Sequence, residues 1–441
     1  MSNKDNKEEY NAHFYIVDSV KGGCGKTSLA VWKAIDIATK AKEEQEALKK
    51  AKEALKEALE EKKIINAIEA LETDVIKVKE ALKALNIISE NNVKEELTGE
   101  IKSTTEALTE SLTNATKALE EIAAIETPQE PNINKAKETL EKSIELAKDV
   151  LESIKVRPRS VCYIDLDLLG TSIEKMLGFN NATQYWYLND LFSGDRAAVQ
   201  KKRVKRDFKL ITIKAENNSG YRFDNTEDHR PDAVTSIGMV FSSPEQKEKN
   251  KFRVGHSTDG HHIDFDFFAR RLNELFNELI DGGVTDFVID MPPNSDPYTD
   301  SIFGQFLKRE IKRRKIGVHL LLISSLDRAH LEANRQWLID LCSKSAQWYE
   351  FTSVAYYFND IRNNLKNKRS DEKVNDVKLL AGKIVRDMKD VCNCKEQQSY
   401  LIEHNTYLSD FAIWQGGNPD QETTFHSTFP SISTIPVNFE E

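Results

Sequence analysis

Phe14-Tyr-Ile-Val-Asp-Ser-Val-Lys-Gly-Gly-Cys-Gly-Lys-Thr-Ser28 passes from an apolar, β-rich run through a glycine-rich turn into a helix-forming run that begins near Thr27. This order predicts strand, phosphate-binding loop, helix. Backbone N–H groups can wrap a polyphosphate only where side chains are absent, and Gly22, Gly23 and Gly25 supply that absence. Lys26 is then expected to reach the β and γ phosphates. Thr27 is expected to bind Mg²⁺ through its hydroxyl, and the helix N-terminus adds its positive dipole end beside Ser28. The first glycine of the ordinary pattern falls at position 20, which is Val20, so the signal narrows to Lys21-Gly-Gly-Cys-Gly-Lys-Thr27. Cys24 sits at a helix N-terminus, where thiolates are favoured; a small side chain that fits the loop is the simpler account.

The second lysine ahead of the glycines resembles the deviant Walker A motif of the ParA/MinD family of dimeric ATPases. That resemblance implies a SIMIBI-type P-loop fold with ATP and Mg²⁺ as cofactors. It also implies a homodimer formed on ATP binding, in which Lys21 crosses to the partner's nucleotide. Three further motifs carry it. Ser160-Val-Cys-Tyr-Ile-Asp-Leu-Asp-Leu-Leu-Gly-Thr-Ser172 reads as a buried strand whose aspartates emerge at its C-terminal end, where ligands bind in open α/β sheets. By the family pattern Asp167 positions the attacking water and Asp165 supports the magnesium shell. Capping of the next helix is the plainer reading of the pair. Leu168 and Leu169 stand where the family carries proline and glutamine. Thr285-Asp-Phe-Val-Ile-Asp-Met-Pro-Pro293 resembles a Walker B strand, with Asp290 holding the metal through water. Asn359, after the strand Ser353–Phe358, is the family's candidate for adenine recognition.

Length and charge set the frame. The chain has 441 residues, 39% of them hydrophobic, and a formal net charge of −10, enough for about two or three domains. Lys42 to Val156 holds 18 basic and 26 acidic residues and so carries most of the imbalance. No run approaches the roughly 18 apolar residues of a membrane span, and Met1 to Glu9 is unlike a signal peptide. The C-terminus lacks an amphipathic membrane-binding helix. A cytoplasmic protein with no membrane partner is expected. Five scattered cysteines form no disulfide framework, and Cys392 and Cys394 have no second pair for a zinc site.

The helix that follows the phosphate loop does not stop after the usual four turns. From Ala41 to about Ile88 the sequence is rich in Glu, Lys, Ala and Leu without Gly or Pro, with apolar residues at spacings of three and four. Two further periodic runs follow, broken by Ser89–Asn92 and by Pro128 and Pro131. At 1.5 Å per residue the outgoing helix measures about 90 Å and the returning runs total about 85 Å, which matches an antiparallel coiled-coil stalk. A shorter bundle is the competitor.

The domains expected are a discontinuous α/β body, 1–41 and 157–441, and an inserted helical coiled-coil stalk, 42–156. The body is a mostly parallel, doubly covered sheet. Within it Ser236–Phe241 reads as a strand in an otherwise polar stretch, Ile263–Ile280 as a helix ended by Gly282 and Gly283, and Gly304–Lys315 as a helix. Val318–Ser324 reads as a strand, Leu326–Cys342 as a helix, and the chain past Asn363 as polar and helical, then Pro-, Ser- and Thr-rich to its acidic end. Lys201–Arg206 and the cations of Lys308–Lys315 read mainly as solvated surface, with non-specific DNA contact as the minority reading. His256, His261 and His262 lack diagnostic metal spacing. A dimeric ATP-hydrolysing switch whose stalk binds a protein partner is the expected function. An ATP-binding scaffold with little hydrolysis is the alternative, and a tyrosine kinase on the same fold would need a terminal tyrosine cluster of which only Tyr400 and Tyr407 are present.

Overall fold

The computed structural model describes residues 10–61, 159–167, 188, 210–216, 220–224, 235–240, 265–292, 300–345, 351–360, 365, 368–392, 394–402, 428–429 and 432–439. The chain divides into two units, Tyr10–Ala38 with Arg159–Glu441, and Met1–Glu9 with Thr39–Pro158. Of the second, the description reaches only Glu61. The rest of the segment expected to form a stalk, Leu168, Leu169, Lys201–Arg206 and the three histidines near 260 lie outside the described residues.

The first unit is built on an 11-stranded mixed sheet in the order β10-β4-β3-β5-β2-β6-β1-β7-β8-β9-β11. Its strands are β1 (Ala12–Asp18), β2 (Val161–Asp165), β3 (Leu210–Glu216), β4 (Gly220–Asp224), β5 (Thr235–Val240), β6 (Asp286–Asp290), β7 (Ile316–Ser325), β8 (Phe351–Asn359), β9 (Cys394–Ile402), β10 (Thr428–Phe429) and β11 (Thr434–Pro436). All neighbours from β5 to β9 pair in parallel. The antiparallel strands β3, β4 and β10 extend one edge, and β11 closes the other. The fold is α/β, as expected.

Both faces are covered because the central strands are apolar on both sides, which only buried parallel strands require. Along β1, Phe14 and Ile16 face one core while Tyr15 and Val17 face the other. The second face packs on α1 (Lys26–Glu61), a single helix of 36 residues, through Leu29, Val31, Ala34 and Ile35. The first face packs on α2 (Phe265–Asp281), a π-helical turn (Asp300–Leu307) continued by α3 (Lys308–Arg314), α4 (Arg328–Ser345) and α5 (Ser370–Val391). Phe14 stacks on Phe287 at 4.5 Å and meets Phe276 edge-on at 5.1 Å, with Phe306 completing the group.

Three expectations are corrected. The helix expected over Gly304–Lys315 is π-helical as far as Leu307, and only Lys308–Arg314 is α-helical. Two of its three arginines are tied by ion pairs, Arg314 to Glu310 and Asp281, and Arg313 to Glu310. The polar stretch around 216 contains the hairpin β3–β4, and Ile211-Thr-Ile-Lys214 within it alternates apolar and polar residues at the period of a strand. The region after α5, where no strand is expected from the sequence, supplies β9, paired to β8 on one side and β11 on the other. Gly282 and Gly283 end α2 as expected, Gly283 at φ +98°.

At the edge of the sheet where the parallel strands begin, buried polar groups satisfy one another. Arg159 forms a two-pronged ion pair with Asp286, which also accepts from Thr285 at 2.7 Å. Burial would raise the Asp286 pKa, but the Arg159 guanidinium outweighs it and the carboxyl titrates below its ordinary range. All five cysteines are free. Bonding of the Cys392 thiol to Cys342 and then Cys394 raises its pKa, and burial adds to the effect. No helix among the described residues is long and apolar enough to cross a membrane.

Candidate functional site

Parallel pairing brings the C-terminal ends of β2, β6, β1 and β8 to one edge of the sheet, and these four ends carry the chemistry read from the sequence. Val17 lies in register with Asp290, and Asp290 with Asp165. The chain hydrogen bonds continue past the strand ends, Met291 N–H to the Val17 carbonyl and Leu166 N–H to the Asp290 carbonyl, each at 3.0 Å. The two carboxylates are therefore fixed side by side beneath the loop that leaves β1.

That loop turns through Gly23 at φ +76° and Gly25 at φ +97°, a region L-residues rarely enter. Gly25 is needed twice over, since a Cβ there would lie 2.9 Å from Nδ2 of Asn359. This nitrogen donates to the Cys24 carbonyl at 2.9 Å, so the end of β8 holds the loop. Nothing lies within 4 Å of a Cβ added at Gly23. Gly25→Ala is therefore expected to destabilise the fold more than Gly23→Ala, by about 1–3 kcal/mol for the added clash with Asn359. Thermal unfolding of the two variants side by side checks this, and equal losses would contradict it.

Lys26 opens α1 with its side chain buried, and its ammonium donates to the Lys21 carbonyl at 3.5 Å. The Cys24 thiol turns to the same carbonyl at 3.4 Å, and burial raises its pKa, which favours the packing role over a thiolate. Lys21, Gly22 and Gly23 are exposed, and Thr27 and Ser28 half-buried.

Asp290 is the most perturbed carboxyl of the group. It is 1% exposed, its Oδ2 accepts from the Tyr163 hydroxyl at 3.1 Å, and its Oδ1 has no hydrogen-bond partner among the described residues. Burial raises its pKa to about 6, opposed by the Thr27 hydroxyl and the Lys26 charge and reinforced by Asp167. Asp165 is also buried, and its Oδ1 accepts the backbone N–H of Asp167 at 3.0 Å. This Asx turn points the chain after β2 and leaves Asp167 half-exposed. Among the described residues no group of three or more His, Cys, Asp or Glu is disposed to hold a metal. Two carboxylates and a hydroxyl, one of the carboxylate oxygens buried without a partner, fit instead a hard cation that keeps most of its water, as Mg²⁺ does.

The structure thus gathers Gly22 to Ser28, Asp165, Asp167, Asp290 and Asn359 at one end of the sheet. It adds residues that the sequence reading passed over. Tyr163 lies two residues before Asp165 on the same strand face, a signal available in retrospect. Asp18 and Ser19 are buried at the end of β1, with the Ser19 N–H donating to Asp18 Oδ1 at 2.6 Å. His330 and Asn334 reach the loop from α4. No protein-family model matches the chain, and no curated protein matches it.

Proposed function

We propose that the chain binds ATP with Mg²⁺ and hydrolyses it slowly, as a dimer that forms on the nucleotide and resembles the partition and positioning ATPases of the ParA/MinD type. The observation that carries this reading is the unpartnered buried Oδ1 of Asp290 beneath a glycine loop whose lysine has only a weak internal partner. Burial of the Asp290 carboxylate outweighs the help it receives from the Thr27 hydroxyl and the Lys26 ammonium, an arrangement that favours a ligand bringing both a cation and anionic oxygens.

In this reading the N–H groups of Gly22 to Thr27 and the helix end bind the phosphates, and Lys26 leaves the Lys21 carbonyl for them. Thr27, Asp165 and Asp290 would hold Mg²⁺, which supplies positive charge to the phosphate oxygens. Asp167, aimed by Asp165, orients the water whose oxygen bonds to the γ phosphorus as the bond to the β–γ bridging oxygen breaks. Lys21, exposed on the loop, serves the partner's triphosphate as an arginine finger does. The inserted segment, which α1 enters directly from the loop, binds a protein partner. Non-specific DNA is a secondary partner. Leu168 and Leu169 support the second reading, a scaffold that dimerises on ATP with little turnover.

ATP turnover and solution mass, measured together for the native chain and Asp167→Ala with and without Mg·ATP, test both. Slow native turnover with the variant trapped as a dimer is expected. Dimers without turnover in either protein would favour the scaffold, and neither binding nor dimers would refute the nucleotide site.

A further inference from the structure

One turn of α4 also holds the loop. Asp327 caps this helix by accepting the His330 N–H at 3.2 Å, and four-residue spacing then puts His330 and Asn334 on one face. Both are buried, 3% and 1% exposed. Asn334 Oδ1 accepts the Val20 N–H at 2.9 Å while its Nδ2 donates to the Ile323 carbonyl at 2.9 Å, so one side chain binds the loop backbone to β7.

His330 works beside it. Its Nδ1 lies 3.2 Å from the Ser325 backbone N–H, which can only donate, so Nδ1 is the acceptor. The Ser325 hydroxyl donates to the same nitrogen at 2.8 Å. In the neutral ring Nε2 therefore carries the proton and donates to Ser19 Oγ at 2.8 Å. The ring is neutral because burial, then the charges of Lys21 and Lys26, push its pKa down to about 4, against a small opposing effect of Asp327.

We infer that His330 and Asn334 are positioning residues for the phosphate loop: through Ser19 and Val20 they fix the turn from which residues 21 to 25 wrap a polyphosphate. This rests on the nucleotide-site reading. It also accounts for valine at position 20. The backbone there is held by a side chain from α4 and has no need of glycine's freedom.

The grip acts on the phosphate-binding backbone and not on the base, so its loss must weaken ATP and a base-free polyphosphate alike. Mg·ATP and inorganic tripolyphosphate are titrated into the full-length native chain, Ser19→Ala and Asn334→Leu. Melting temperature serves as the fold control. A net hydrogen bond contributes about 1 kcal/mol, so Ser19→Ala is expected to weaken both ligands about 5-fold. Asn334→Leu, which removes both the part-buried bond from the Val20 N–H and the buried bond to the Ile323 carbonyl, is expected to weaken both about 10-fold or more. Should Asn334→Leu fail to fold, Ser19→Ala decides alone. Unchanged affinities in a folded variant, or a loss for ATP but not for tripolyphosphate, would overturn the inference while leaving the nucleotide site intact. A native chain that binds neither ligand would overturn the nucleotide site and the inference with it.

Discussion

Lys26→Ala is expected to weaken Mg·ATP binding by at least about 100-fold while leaving the unliganded protein as stable as the native chain. The two halves have one cause. A lysine reaching two phosphates makes charge-assisted hydrogen bonds of about 1.5–3 kcal/mol each, and the glycine loop offers no other cation at that depth, since Lys21 is exposed. In the unliganded protein the same ammonium is buried with a carbonyl at 3.5 Å as its hydrogen-bond partner among the described residues. Its removal gives up that long hydrogen bond and the attraction to Asp290 but relieves the lysine's own desolvation, and these opposed effects leave stability near the native value. Calorimetric titration with Mg·ATP and thermal unfolding without ligand check the pair. A variant that keeps its affinity would remove the loop from the site, and one that unfolds would make Lys26 a structural residue.

The sequence was most informative where one physical requirement fixes several residues at once. The expected order of buried strand, glycine turn and helix is the order found, so β1, the turn through Gly23 and Gly25 and the start of α1 were all legible together. The strand before Asp290 was equally plain, because Phe287, Val288 and Ile289 are buried on both faces and leave no polar alternation to confuse. Strand β9 was not legible for the opposite reason. Cys394-Lys-Glu-Gln-Gln398 is polar although it lies within the sheet, and its order depends on partners distant in sequence, β8 and β11. Gln397 illustrates the dependence, bonding Tyr356 across the sheet and the Lys389 and Cys392 carbonyls at the end of α5. His330 and Asn334 were hidden in the same way. On α4 they look like ordinary polar residues of a surface helix, and only the position of the loop gives them partners. The convergence of Cys342 on Cys392 and Cys394 likewise crosses fifty residues that no spacing rule spans.

Asp290→Asn should stabilise the metal-free protein at neutral pH by about 3 kcal/mol and abolish the effect of Mg²⁺ on nucleotide binding. Burial raises the carboxyl from its ordinary 3.8 to about 6, so between these values the native state holds a proton that the unfolded chain has released. The stability contributed by this group is complete below about pH 4 and is lost as pH rises to 6, at about 1.4 kcal/mol for each pH unit between the two values. Asparagine has no proton to lose. It keeps an oxygen for the Tyr163 hydroxyl, now bonded to Oδ2 at 3.1 Å, so the variant's advantage is near zero at pH 4 and largest above pH 7. Urea unfolding of both proteins in EDTA at pH 4.5 and 7.5 measures this directly. The opposite order at pH 7.5, with the native chain more stable, would mean that the carboxylate is already compensated and that no cation is needed there. If the expected order holds, Mg·ATP should raise the melting temperature of the native chain much more than that of the variant. The buried charge that costs the free protein stability is then the one that binds the cation.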